Sequence, residues 1–164
     1  GMMMSLAVSG RPVHHVLKEL KHERVHLKAE LKKLQHEEFE LRARHQRAAR
    51  MLKALVGSME HNAEKLGALR NELSFVLKVD RQVEGLASPE KSELEQKIRS
   101  LKEDMNGTSL ALSNEESRKA LQTQDLLELV KGIEELRIEI SSLASRGRAT
   151  ELQIQHVDQR LQSP

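Results

Sequence analysis

His22-Glu23-Arg24-Val25-His26 spells H-E-x-x-H. On a helix that spacing sets two imidazoles one turn apart, where they can hold zinc while the glutamate activates a bound water. A zinc peptidase needs more than the pair. It needs a third ligand, a cleft for the peptide and an open coordination position. No Gly-x-x-His follows His26, so the extended form of the motif fails. The element that carries the motif decides between a site and a chance spelling.

A second candidate is the cation run Arg42, Arg44, Arg47, Arg50 and Lys53, in a stretch with no acid between Glu40 and Glu60. Its chemistry would be anion docking: acidic protein tails, nucleic-acid phosphates or anionic lipid. Nucleic acid is the less favoured of these. Leucine heptads continue on both sides of the run, and no asparagine within it can read a base. Aromatic stacking residues are missing as well. A third group is polar and sits where apolar residues are expected: Arg24, Glu38, His45 and Asp80. Such residues on a helix seam set register and partner choice at a cost in stability.

The elements behind these groups follow from periodicity. Alternating steps of four and three residues from Val13 to Val83 meet mostly Leu, with Leu17 at an a position and Leu20 at a d position. A sustained a/d repeat argues a coiled coil. In this frame Arg24, Glu38, His45 and Asp80 fall at a. His22, Glu23 and His26 fall at f, g and c, on the outer side. The five cations of the run fall at e, g, c, f and b, ringing the helix. A smooth helical rod offers H-E-x-x-H no cleft, so the expectation is a surface match with loose metal binding at most. No catalytic, metal or cofactor site is expected.

The frame stops at Val83, before Glu84-Gly85-Leu86-Ala87-Ser88-Pro89-Glu90. Gly85 suits a helix C′ position, and Ser88, Pro89 and Glu90 suit the start of another helix. A second frame runs from Leu94 to Leu161. Its seam carries Thr108, Glu115, Lys119 and Gln122, and it has soft points at 106–114 and 145–150, around Gly107 and Gly147. Frayed or kinked helix is the reading there, rather than loop. The organisation is therefore a frayed or disordered N-terminus over 1–12, a first arm over 13–84, a turn over 85–89 and a second arm over 90–162. At about 1.5 Å per residue each arm would reach about 100 Å.

Equal arms joined by a short turn predict an all-α protein, a long antiparallel helical hairpin or coiled coil, with dimerisation into a four-helix assembly open. A bent parallel dimer is the rival. In the antiparallel register facing residue numbers add to 174, pairing Leu17 with Val157 and Val76 with Ile98. Phe39 and Val25 fall at b, outside the seam, while Val56 and Leu77 at e widen it. This excess apolar surface calls for another helix or a docking partner.

Composition agrees. The 164 residues include two aromatics, no Trp or Tyr, and 32% charged residues. Burial must come from aliphatic stripes, as in long helices. The absence of cysteine excludes disulfides and cysteine chemistry and fits a reducing, intracellular location, cytoplasmic or nuclear. No window is apolar enough for a membrane span. Residues 1–84 carry 16 Lys/Arg against 11 Asp/Glu, and residues 85–164 carry 11 against 14. Arms of opposite sign attract each other or different partners. The composition resembles coiled-coil scaffold segments of cytoskeletal, kinetochore or membrane-tethering assemblies. The expected role is a non-enzymatic scaffold or assembly subunit that is a homo- or hetero-oligomer and binds protein partners. An electrostatic binder acting through residues 42–53 is the alternative.

Overall fold

The computed structural model describes residues 12–85 and 89–162. It consists of two long helices, α1 (Val13–Gln82) and α2 (Pro89–Gln162), packed against each other as a helical hairpin. The predicted disorder of residues 1–12 falls almost wholly outside the described residues. The predicted capping role of Ser88 lies outside them too.

The ends of the helices have local causes. At the start of α1 the carbonyl of Pro12 accepts the amides of His15 at 3.0 Å and Val16 at 3.2 Å, closing the first turn. At its end the Val83 amide bonds Val79 O and the Glu84 amide bonds Arg81 O. Gly85 follows with φ of 85°, the left-handed conformation that ends helices and that a Cβ disfavours. α2 opens on Pro89, whose missing N–H costs nothing there, with Glu90 in the positive first turn. It then runs through Asn106–Gly107 and Gly147 without interruption. The hydroxyl of Thr108 turns back on Asp104 O at 2.9 Å, so this buried threonine satisfies itself.

The chain divides into two compact units, Gly1–His45 with Glu128–Pro164, and Gln46–Leu127. In the first, Val16, Leu20, Ile154 and Val157 form a buried cluster with Leu17 against it. Val157 is 1% exposed. Leu27, Leu34 and Thr150 are buried further along this unit. Leu20 and Ile154 share one cluster, as the antiparallel register requires. In the second unit Leu55, Leu66, Val76 and Leu101 are buried, with Thr108 and Glu115 as buried polar members.

Burial follows the heptad frames along most of their length, but the outermost frame positions Val13 and Leu161 are exposed, and Val16, one residue off the frame, is buried. Every position of the first frame from Leu17 to Val83 is buried or half-buried. On α2 the same holds from Leu94 to Val157 except at Lys119, which is exposed. A lysine stem is long enough to carry its ammonium past the seam into water.

Candidate functional site

His22, Glu23 and His26 are all exposed on α1. Glu23 lies 3.9 Å from the guanidinium of Arg146. His26 borders an open groove of about 470 Å3 that also meets Glu30, Glu139 and Arg146. Among the described residues no group of three or more His, Cys, Asp or Glu is arranged to hold a metal ion. His15 and His36 each lie 3.1 Å from a glutamate one turn on, Glu19 and Glu40. These imidazoles lie on the surface of one helix, and no third His, Cys, Asp or Glu joins the His22–His26 pair among the described residues.

The cation run straddles the division of the chain. In the first unit the Nε of Arg42 donates to Glu38 Oε1 at 2.7 Å, one turn back, and Arg44 is exposed. In the second unit Arg47, Arg50 and Lys53 are exposed. Arg44, Arg47, Arg50 and Lys53 make no ion pair among the described residues. The second unit also exposes Arg118 and Lys119 on α2. Like charges left unpaired in this way raise the local potential and attract anions.

The four polar seam residues meet different fates. Arg24 reaches across to Glu151, with Nη1 3.2 Å from Oε2. Asp80 accepts the ammonium of Lys91 at 2.8 Å, beside the turn. That carboxylate, aided by Glu95 and Glu84, raises the Lys91 pKa above its ordinary value against the opposing effect of desolvation. Glu38 stays on its own helix with Arg42. His45 is half-buried and makes no hydrogen bond or ion pair among the described residues. Half-exposed pairs such as Arg24–Glu151 contribute about 1 kcal/mol or less, so they fix alignment more than they stabilise.

One polar layer was not singled out from sequence. The carboxylate of Glu115 is buried in the second unit and accepts the Asn62 amide at 2.7 Å. Hydrogen bonding from Ser58, then from Asn62, holds its pKa below the usual glutamate value, against the upward push of burial and with help from the charge of Arg118. The signal existed. The 174 register sets Glu115 opposite Met59, next to Ser58 and one turn from Asn62. Gln122, two turns further along the α2 seam, has a buried amide oxygen with no hydrogen-bond partner among the described residues.

The apolar excess is real. Val25 and Phe39 stand in solvent on α1, as do Met51 and Phe75. On α2, Leu110, Leu121, Val130, Ile138 and Leu152 do the same. No described helix is long and apolar enough to cross a membrane.

No protein-family model matches the chain, and neither the curated proteins nor the solved structures compared with it yield a match.

Proposed function

We propose that the chain is a non-enzymatic helical scaffold or assembly subunit, associating through coiled-coil seams and holding protein partners on the outward faces of its helices. One observation carries this reading. The chain has two aromatic residues, and both are turned away from its core: Phe39 is 70% exposed and Phe75 67%. Aromatic side chains are concentrated at protein interfaces, where they act as anchors. A helix that keeps its only aromatics on the wet face has them placed for a partner. Double substitution Phe39→Ser and Phe75→Ser tests it. Folding stability should stay within about 0.5 kcal/mol, as expected for surface sites. Chemical crosslinking in the native cell should lose the partners that the unsubstituted chain holds at fixed stoichiometry. An unchanged crosslink pattern defeats the reading.

A second reading has its own observation. The unpaired cations Arg44, Arg47, Arg50 and Lys53 support an electrostatic binder of acidic protein tails, nucleic acid or anionic lipid. Titrations with polyglutamate, duplex DNA and anionic vesicles at rising salt separate the two. Binding that falls steeply with salt and vanishes on Arg47→Glu with Arg50→Glu favours the second. Salt-insensitive association through the phenylalanines favours the first.

A further inference from the structure

Two ion pairs, one in each unit, show how charged side chains flanking the seam meet across it. Glu23 lies 3.9 Å from Arg146, and Glu72 lies 3.1 Å from Lys97. In both pairs the residue numbers add to 169, so one register sets them opposite each other. Heptad steps along that register match two further charged pairs within the units. Lys65 falls opposite Asp104, again of opposite sign, but Glu30 falls opposite Glu139. Opposite charges at such flanking positions favour the pairing of helices, and like charges oppose it. Of these four pairs Glu30 and Glu139 alone are of like sign. A local rule broken without compensation inside the fold marks a position kept for function.

Glu30 and Glu139 line the same open groove in the first unit, of about 470 Å3. Glu30 is half-buried and Glu139 exposed, and neither makes a hydrogen bond or ion pair among the described residues. Arg146 is the one Lys or Arg lining the groove, and a third carboxylate, Glu23, already faces it. Leu27, Leu34 and Leu143 give the groove apolar walls. A bare cation would meet the charge and leave those leucines unused, and among the described residues no three His, Cys, Asp or Glu are arranged to hold a metal ion. An arginine side chain uses both features. Its apolar stem can lie on the leucines, and its planar guanidinium has five N–H donors, enough to bond two carboxylates at once.

We propose that this groove docks an arginine side chain of a partner protein, its guanidinium held by Glu30 and Glu139 and its stem by Leu27, Leu34 and Leu143. The proposal rests on the reading of the chain as a holder of protein partners and names the chemistry of one contact. Two measurements on the full chain test it. The first is urea unfolding of Glu139→Arg, which supplies from within the chain the cation that a partner would bring. Its unfolding midpoint should rise, and the rise should vanish when Glu30→Gln is added, because the gain belongs to that pair.

The second is calorimetric titration at physiological salt with hexa-arginine and hexalysine peptides. Hexa-arginine should bind about tenfold more tightly than hexalysine, and Glu30→Gln with Glu139→Gln should weaken it about tenfold or more. Glu103→Gln with Glu116→Gln makes the same change in net charge on exposed glutamates of the second unit and should leave binding unchanged. No rise in midpoint for Glu139→Arg, or a rise that survives Glu30→Gln, overturns the proposal. So does hexalysine binding as tight as hexa-arginine, or equal weakening by the control pair. Zinc that binds the unsubstituted chain and is lost with Glu30→Gln and Glu139→Gln would overturn it in favour of a metal ion. If any of these occurs while crosslinks through Phe39 and Phe75 persist, the arginine groove falls and the scaffold reading stands.

Discussion

Gly57, Gly67 and Gly107 lie inside long helices, with ordinary helical φ and no atom within 4 Å of where a Cβ would sit. Packing therefore asks for glycine at none of them. Replacing each by alanine removes conformational freedom from the unfolded chain and adds no clash. The gain should be the helix-propensity difference, about 0.8–1.0 kcal/mol per site and about 3 kcal/mol for the triple variant. The three added methyl groups touch nothing, so their effects should add. Gly85 is the internal control. At φ of 85° an alanine there is strained, and Gly85→Ala should lose about 1 kcal/mol or more. Urea unfolding followed by far-ultraviolet circular dichroism measures all four. Destabilisation at any of the three helical sites, or a neutral Gly85→Ala, would refute the reasoning, because either would mean that the backbone or its surroundings differ from those described.

Ile154→Ala should cost about 2–5 kcal/mol, the range for truncating a buried aliphatic, while Leu121→Ala on the exposed face should change stability by less than about 0.5 kcal/mol. The pKa of Glu115 is lowered on folding, so its contribution is present above the ordinary glutamate range and fades as pH falls through the lower folded value. Glu115→Gln should flatten that part of the acid unfolding curve, and an unaltered curve would remove the carboxylate from the account. The pKa of Lys91 is raised, so its contribution is full below its ordinary value of 10.5 and is lost as pH climbs through the higher folded value. Lys91→Met should therefore blunt alkaline destabilisation. Zinc added to the chain should produce no peptide cleavage. Cleavage that appears with zinc and disappears in His22→Ala would restore the peptidase reading.

Inward-facing residues were legible in the sequence because one physical signal dominates a long helix. Leu, Ile and Val recur at heptad spacing, and the described side chains bury along that stripe from Leu17 to Val83 and from Leu94 to Val157, save Lys119. The helical turn was legible for a similar reason, since Gly85 answers a backbone need. Ion pairs and polar layers were not. Whether Arg24 meets Glu151, or Glu38 meets its own neighbour Arg42, depends on flexible side chains that periodicity does not constrain. Glu115 interrupts the apolar seam in sequence, and its partners Asn62 and Ser58 come from the other helix, which the periodicity of its own helix does not report. The soft points at 106–114 and 145–150 are continuous helix, because a single glycine costs about 1 kcal/mol and packing along the stripe outweighs it.

The Asp80–Lys91 pair bears on how the hairpin comes to exist. Its partners are 11 residues apart in sequence, while Arg24 and Glu151 are 127 apart. Closing the longer loop from an unfolded chain costs about 2 kcal/mol more in chain entropy. Contacts beside the turn have the shorter loops to close, and each new layer shortens the loop that the next one must close. Loop entropy alone therefore favours assembly that starts beside Asp80 and Lys91. The cluster of Val16, Leu20, Ile154 and Val157 joins residues far apart in sequence and so has a long loop to close. Mutations there should speed opening far more than they slow closing.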